Sequence, residues 1–331
     1  MRATSVLRLV IGVSVIAGGC APAQEIDAAN PSGPTPHAAA VTMPADITSI
    51  TALNGTSSIA AGLADGQVAI WTTTSEPLLL KPHATTVLAV GSTRDGTEVW
   101  SVADDGSLAR TRVAAGASPA VQKIDLGAAA ISGATFSADG SMLVTGGEFG
   151  VLQVFDTSTG ALRHTLRGHR TELQAMAIRP DSALLASASA EADLKVWDLA
   201  AGRELSSTDL DLSMFTIGFS PADGTLASGG VDRHVTFRDA ATLAARGSLD
   251  LKAPLMVASL AWSPDGRLVA IGDIDDATLS KGALRIVDAE TRAAVTTLDT
   301  GGAPPSGVTF IGDGRVLVAV FGPELRAWPV Q

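Results

Sequence analysis

Few residues in this 331-residue chain could do acid–base or nucleophilic chemistry. The five histidines are His37, His83, His164, His169 and His234. None has the spacing of a His-Glu-x-x-His metal site, and no Gly-x-Ser-x-Gly nucleophile turn occurs. A Ser-His-Asp triad built from distant segments stays open, because spacing along the chain does not test it. We expect a structural role for His169, and we predict no catalytic residue, metal site or cofactor.

An acidic stretch at residues 273–282 is the second place where side chains could do chemistry. Asp273, Asp275 and Asp276 put three carboxylates within four residues, and carboxylate oxygens suit a hard cation such as Ca²⁺. The glycine and the distal glutamate of an EF-hand loop are missing from their places. We interpret the stretch as a solvated loop, with a partner-binding loop and a calcium site as alternatives.

The only cysteine, Cys20, stands at the end of a targeting segment. Arg2 and Arg8 precede an apolar stretch over residues 9–17, and two glycines separate this stretch from Cys20. That order predicts a secretory signal, which is too short for a stable membrane span. A plain signal peptide with an incidental cysteine is the alternative. One cysteine also excludes an intramolecular disulfide.

Composition limits what the rest of the chain can be. Residues 21–36 contain four prolines and no apolar period, which predicts a solvated tether. Hydrophobic residues make up 46% and charged residues 17% of the chain, which excludes a wholly disordered protein. The formal net charge is −11, so the chain lacks the basic surface on which nucleic-acid binding depends.

A repeated turn unit organises the remainder. Six versions of a Ser-Pro-Asp-Gly-like turn stand at residues 93–96, 137–140, 179–182, 220–224, 263–266 and 311–314. Proline and glycine supply the backbone angles of such a turn, and aspartate caps its own backbone. An apolar run follows each unit, and then a second turn and an alternating strand such as residues 194–198. Short strands at about ten-residue spacing predict an all-β fold.

The third strands of these units align at seven positions with a regular period. The column reads Trp71, Thr111, Phe155, Trp197, Arg238, Val287 and Trp328, at intervals of 40 to 49 residues. Four strands in a period of about 40–45 residues are typical of a propeller blade. The pairs Trp197-Asp198 and Gly168-His169 resemble the WD-repeat family, and the resemblance extends over about residues 46–331.

The WD-repeat resemblance implies a seven-bladed β-propeller of four-stranded antiparallel blades over residues 37–331, after a signal at 1–19 and a tether at 20–36. In that family a histidine, a serine or threonine, an aspartate and a tryptophan lock each blade. Only the fourth blade offers such a set here, and Glu191 stands in the place of the aspartate. Its members are His169, Ser187 or Ser189, Glu191 and Trp197.

The last repeat is incomplete. It stops after its third strand at residues 324–330, whereas the preceding six have a fourth strand. An open ring would expose sheet edges that invite aggregation. We predict that residues 38–43 supply the missing strand and close the ring.

The sequence Ile16-Ala17-Gly18-Gly19-Cys20 resembles a bacterial lipoprotein box, although Ala17 stands where that family usually has leucine. The resemblance implies that Cys20 is lipidated and becomes the mature N-terminus. It also implies a cell-envelope location, with the propeller in the periplasm or outside the cell. Ala21 resembles the residue that sends lipoproteins to the outer membrane, where two membranes are present.

The WD-repeat resemblance implies a non-catalytic scaffold that binds another protein or peptide of the envelope, and we expect a monomer. Loops on a rigid scaffold are where binding usually resides, which gives a candidate face. The residues of this face are Glu148, Phe149, Arg233, His234, Asp273, Asp275 and Asp276. Two alternatives remain: a periplasmic propeller enzyme of quinoprotein or hydrolase type, and passive assistance in assembling envelope machinery.

Overall fold

A computed structural model describes residues 24–25, 37–54, 56–113, 120–127, 131–252 and 254–330. Within these segments the chain forms 29 strands, β1–β29, and one short 3-10 turn at Glu148–Gly150. No helix in the described segments has the length and apolar character needed to cross a membrane. The predicted signal at 1–19 and the lipidation candidate Cys20 lie outside the described residues.

The strands group into seven sheets that follow one another along the chain. Two short strands come first, β1 (Gln24–Glu25) and β2 (Ala39–Thr42). Blade one contains β3 (Ile47–Ala52), β4 (Ser58–Leu63), β5 (Val68–Thr72) and β6 (Leu78–Leu80). Blade two contains β7 (Val87–Ser92), β8 (Glu98–Ala103), β9 (Ser107–Arg112) and β10 (Ala120–Asp125). Blade three contains β11 (Ile131–Phe136), β12 (Met142–Gly147), β13 (Leu152–Asp156) and β14 (Leu162–Leu166).

The other four blades repeat the same antiparallel order from inner to outer strand. Blade four contains β15 (Leu173–Ile178), β16 (Leu184–Ser189), β17 (Asp193–Asp198) and β18 (Arg203–Asp209). Blade five contains β19 (Met214–Phe219), β20 (Leu226–Gly230), β21 (His234–Arg238) and β22 (Ala245–Asp250). Blade six contains β23 (Leu255–Trp262), β24 (Leu268–Asp275), β25 (Leu284–Asp288) and β26 (Ala294–Leu298). Blade seven contains β27 (Gly307–Ile311), β28 (Val316–Phe321), β29 (Glu324–Pro329) and the early strand β2.

The N-terminal strand closes the ring as predicted. β2 pairs antiparallel with β29, from Ala39 opposite Ala327 to Thr42 opposite Glu324. Met43 follows β2 and is 3% exposed in the apolar cluster shared by blades one and seven. The prediction of seven four-stranded blades is therefore confirmed.

The repeated turn unit forms the connection between the first and second strands. In blade three, Asp139 accepts hydrogen bonds from the hydroxyl of Ser137 at 2.7 Å and from the backbone amide of Ser141 at 3.0 Å. Gly140 has a φ of 70°, and a Cβ there would lie 2.7 Å from the carbonyl oxygen of Ser92 in blade two. Glycine is required at this position because the neighbouring blade approaches so closely.

Apolar side chains from adjacent blades form the core. Trp197 of blade four is 1% exposed and packs in a cluster with Met142 and Val154 of blade three. At the equivalent positions, the side chains of Phe155 and Val287 are fully buried without a tryptophan. Packing between blades therefore does not require the same residue in each repeat.

The alternation of strands puts two kinds of loop on one face of the ring. Turns between the second and third strands lie on the same face as the connections from one blade to the next. We call this the upper face. The predicted face residues Phe149, Arg233 and Asp276 all belong to such turns.

Candidate functional site

Blade four contains a buried polar network of four side chains. The Ser187 hydroxyl lies 2.6 Å from His169 Nε2 and 2.8 Å from Trp197 Nε1. His169 Nδ1 lies 2.8 Å from an oxygen of Asp193. The indole N–H can only donate, so Ser187 accepts from it and donates its own proton to Nε2. Nδ1 then carries the imidazole proton and donates it to Asp193.

The carboxylate of this network is Asp193, not Glu191 as the sequence predicted. Asp193 begins β17, where residues two apart point to the same side, and it therefore shares a side with Trp197. Glu191 is exposed in the preceding turn, and its backbone amide donates to Ser189 Oγ at 3.3 Å. The Ser189 hydroxyl donates in turn to Asp193. Ser189 thus supports the carboxylate, and Ser187 contacts the histidine.

The connectivity of Ser187, His169 and Asp193 is that of a hydrolase triad, but the surroundings do not suit a nucleophile. Ser187 is fully buried, and the side chain of His169 is 0% exposed. Ser187 also accepts the indole proton of Trp197, which occupies one of the two lone pairs of its oxygen. Burial is the largest influence on the imidazole and lowers the pKa of His169 although Asp193 opposes this effect. The geometry describes a structural lock between strands.

Blade two holds a second histidine network that the sequence analysis missed. His83 Nε2 lies 2.8 Å from Ser101 Oγ, and His83 Nδ1 lies 2.8 Å from Ser107 Oγ. Ser101 follows His83 by 18 residues, and Ser187 follows His169 by the same interval. This shared spacing was the available signal. Blade two carries a threonine in the column position of Trp197, so the tryptophan column gave no indication of the network.

The buried imidazole of His83 predicts acid lability. Burial lowers the pKa of His83 to about 4, so the folded protein resists protonation at pH values where the unfolded chain, with the ordinary histidine pKa of 6.5, accepts a proton. The contribution of neutral His83 to the unfolding free energy is fully present above pH 6.5 and is lost as the pH falls towards 4. From His83 alone we expect a loss of about 3 kcal/mol of unfolding free energy between pH 7 and pH 4, measured by urea denaturation as the difference between the wild type and a variant without His83.

Two glutamine variants test the origin of this pH dependence. His83→Gln removes one titrating group and is expected to reduce the slope of unfolding free energy between pH 6.5 and 4, while His169, whose pKa burial also lowers, keeps part of it. His164→Gln, on the outer strand β14, is expected to keep the wild-type slope. Equal slopes in wild type and His83→Gln would show that another group causes the lability.

The upper face carries at least one left-handed residue in each turn between the second and third strands. Blades one, two and seven use glycine alone, blade three has both Phe149 and Gly150, and blades four to six use a residue with a side chain. The glycines of blades one, two and seven are Gly66, Gly106 and Gly322, with φ values of 87°, 81° and 60°. The four residues with a side chain are Phe149, Ala192, Arg233 and Leu279, with φ values of 61°, 63°, 65° and 51°.

Three of these four residues present a large side chain to solvent. Phe149 is 77% exposed, Leu279 is 55% exposed, and the side chain of Arg233 is 43% exposed. Leu212, in the connection between blades four and five, adds a fourth large side chain at 44% exposure. We call the upper face of blades three to six, with Phe149, Leu212, Arg233 and Leu279, the turn arc.

The acidic insertion of blade six joins blade five at the turn arc. Asp276 contacts Arg233 with an O···N distance of 2.7 Å. Asp275 caps its own loop, because it accepts hydrogen bonds from the backbone amides of Ala277 and Thr278 at 3.1 and 2.8 Å. These bonds hold the loop that presents Leu279.

Asp273 does not belong to the exposed face predicted for it. The strand β24 continues to Asp275, so Asp273 is still inside the sheet and is 0% exposed. It pairs with Arg285 at 2.7 Å and accepts the backbone amide of Ala283 at 2.8 Å. Burial raises the pKa of Asp273, and Arg285 opposes that shift. The three carboxylates are engaged separately, and the described residues contain no cluster of three or more metal-ligating side chains.

The remaining predicted face residues lie beside the turn arc. Glu148 belongs to the same 3-10 turn as Phe149. His234 begins β21, and its Nδ1 lies 2.6 Å from the backbone oxygen of Asp232. The structure therefore brings Arg233 and Asp276 into contact, while Phe149 lies two blades away from Arg233.

Comparison with known proteins agrees with the fold. Residues 160–198 match the family model for the WD domain, G-beta repeat. The chain is 32% identical over 157 residues to the WD repeat-containing protein SL1-17 of Schistosoma mansoni. The aligned segment covers 47% of this chain and 50% of that protein. It is 28% identical over 131 residues to the small ribosomal subunit protein RACK1 of Glycine max, which covers 34% of this chain and 40% of that protein.

A third relative matches over a shorter share of its own length. The telomerase protein component 1 of Mus musculus is 28% identical over 145 residues, which is 44% of this chain and 5% of that protein. The chain thus spans about half, or less, of the length of these curated relatives. Together with the seven blades, the matches support a WD-repeat β-propeller, and all three relatives come from eukaryotes.

Proposed function

We propose that the protein is a non-catalytic scaffold whose turn arc binds another protein or peptide. The turns of blades three to six carry the proposal, because each places a side chain where glycine fits without strain. A residue other than glycine in a left-handed turn costs about 1 kcal/mol or more, and exposed Phe149 and Leu279 gain little from burial in return. Contact with a partner explains why such side chains stand there.

The turn arc is suited to recognition because its loops are held in place. The Asp275 cap fixes the insertion, and the Arg233–Asp276 pair joins blades five and six. A preorganised loop loses little conformational entropy when a partner binds. Large apolar anchors such as Phe149 and Leu279 are the kind of residue that carries most of the energy in small interfaces.

The central channel supports the non-catalytic proposal. Its cavity, of about 310 Å³, is lined by residues of the inner strands and of the turns that follow them, from six blades. These lining residues carry hydroxyl, amide and apolar side chains, including Thr51, Asn54, Thr135 and Phe136. Acid–base catalysis needs a titratable group within hydrogen-bonding reach of the substrate, and this lining supplies none. The geometry favours a scaffold over a propeller enzyme of quinoprotein or hydrolase type.

Two substitutions at the turn arc test the proposal. Phe149→Gly and Leu279→Gly remove an anchor and relieve the left-handed strain, so we expect weaker binding without loss of stability. Removing an interface anchor commonly costs 2 kcal/mol or more, or about a thirtyfold loss of affinity. Chemical crosslinking in native cells, followed by capture, measures the recovered partner.

Leu162→Ser is the matched control for those two substitutions. Leu162 is 50% exposed on the outer strand β14, away from the upper face. This variant is expected to capture as much partner as the wild type. A partner that still crosslinks to both glycine variants, or that Leu162→Ser releases, would place binding elsewhere on the ring.

For its location, we propose a bacterial cell-envelope lipoprotein with a monomeric ring in the periplasm or outside the cell. Cys20, the preceding apolar stretch and the basic residues at its start support this proposal, and Ala21 favours the outer membrane where there are two. The envelope then supplies the protein partner. Labelling with a fatty acid should mark the wild type and not Cys20→Ser, which should leave the membrane fraction. An unlabelled wild-type protein would refute lipidation.

A further inference from the structure

Blade five has a fifth strand that the other blades lack in the described chain. β1, with residues Gln24 and Glu25, pairs in parallel with the outer strand β22. Gln24 lies opposite Leu249, and Glu25 lies opposite Asp250. The segment ahead of the ring therefore contacts the ring at blade five as well as at blade seven, where β2 completes the sheet.

The outer strand of blade five differs from its counterparts in exposure. Only one residue of β22, Ala245, is exposed. The outer strands β10, β14, β18 and β26 have five, three, four and two exposed residues. An edge strand presents unpaired backbone groups to any extended segment, and an added strand covers those groups. β1 contributes to the low exposure of β22, because it covers this edge in the structure.

Chain length makes contact with both blades possible. Thirteen residues, 26–38, separate β1 from β2. A chain of that length reaches at most about 45 Å, which is enough to pass the edge of the intervening blade six. β2 and β1 can therefore occupy their two blades together.

We propose that the edge of β22 is a docking site for the N-terminal segment of this same chain. β1 (Gln24–Glu25), which we call the strap, would then fix the position of residue 20 relative to the ring. Cys20 precedes Gln24 by four residues, so docking holds residue 20 within about 14 Å of the point where the strap begins. Without the strap, the first contact between the N-terminal segment and the ring would be at His37 and Ala38, which lie against Trp328 and Ala327 of β29.

The strap has a consequence that rests on the proposed lipidation of Cys20. A lipid on Cys20 would hold the ring close to the bilayer with the outer edge of blade five nearest to it. Across the ring, blades one and two would face away. The strap would thus give the ring a fixed orientation on the membrane, which a flexible tether of residues 20–38 would not give.

The lone cysteine allows the strap to be tested without any lipid. The soluble chain beginning at residue 20 is spin-labelled at Cys20 and at a second introduced cysteine, either Ala245→Cys on blade five or Val121→Cys on blade two. Both positions are exposed on outer strands. Pulsed dipolar spectroscopy measures the distance between the two labels. We expect a narrow distance distribution below about 30 Å between residues 20 and 245, and a longer distance between residues 20 and 121.

Proline substitutions provide the matched comparison. Gln24→Pro with Glu25→Pro removes the backbone donors of β1 and should broaden both distributions. Ala28→Pro with Ala29→Pro changes the same segment outside the paired residues and should leave both distributions narrow. The amide hydrogen-exchange rate of residues 245–250 should rise at least tenfold in the variant with Gln24→Pro and Glu25→Pro, and not in the other. The exchange rate of β18 should not change in either variant.

The outcomes separate the strap from the lipid. Broad distributions in the starting protein, or distributions that the Gln24→Pro and Glu25→Pro pair leaves unchanged, would overturn the strap. Neither measurement involves lipidation. If the fatty-acid experiment left the wild-type protein unlabelled, the orientation on the membrane would be refuted, but the pairing of β1 with β22 would not.

Discussion

Deleting every residue ahead of Asp46 is expected to prevent the ring from forming a stable monomer. The deletion removes β2 and Met43, which is 3% exposed, and it leaves β29 with an unpaired edge. Burial of a methionine side chain contributes about 2 kcal/mol, and the lost strand pairing and ring closure add to that. A loss of about 5 kcal/mol would match the whole stability of many domains. Thermal melting and size-exclusion chromatography should show early unfolding and soluble aggregates.

A chain that begins at His37 is the matched control for this deletion. It lacks the same segment ahead of the ring but keeps β2 and its pairing with β29. We expect it to melt within a few degrees of the mature protein and to remain monomeric. If the chain beginning at Asp46 melted like the control, the β2 strand would not be needed for closure.

The blades could be predicted from sequence because their signals repeat. Each turn unit needs aspartate and glycine for local reasons, as Asp139 and Gly140 show, so the units mark the start of each second strand. Counting strands then exposed the missing one in the last repeat. A period that recurs seven times compensates for the weakness of each individual match.

The details of the polar networks could not be predicted in the same way. Glu191 occupies the position where the family has aspartate, but Asp193, two residues later, is the residue whose side chain points at His169. Asp273 appeared to begin a loop, whereas β24 continues past it and buries it. Both errors concern where a strand starts or ends, and that boundary decides which side chains belong to the sheet and which belong to the turn.

The left-handed turn residues show a further limit of the sequence. Phe149 and Arg233 were predicted for the face, but nothing in their spacing reveals a positive φ. Leu279 was not predicted for the face, because only the three aspartates of the insertion suggested a binding role. Comparing equivalent turns in all seven blades makes the pattern visible, and that comparison needs the backbone.

Replacing Ser187 by alanine is expected to cost about 3 kcal/mol of unfolding free energy, because one hydroxyl serves two buried partners. Without it, Trp197 Nε1 loses its acceptor and His169 Nε2 loses its donor, at 2.8 and 2.6 Å respectively. An unsatisfied buried polar group costs about 1–3 kcal/mol, and the two losses occur together. Urea denaturation at pH 7 measures the difference from the wild type.

Ser228→Ala in blade five is the matched control, because Ser228 holds the position equivalent to Ser187 and is 1% exposed. Its hydroxyl reaches the carbonyl oxygen of Thr236 at 3.5 Å, a weak contact, so we expect a cost below about 1 kcal/mol. A similar cost at both positions would mean that the network adds nothing beyond the burial of a small side chain. A large loss of unfolding free energy in Ser187→Ala, with partner capture preserved, would identify Ser187, His169 and Asp193 as a network that stabilises blade four. If Ser187 were instead a nucleophile, we would expect its substitution to remove an activity without lowering the unfolding free energy.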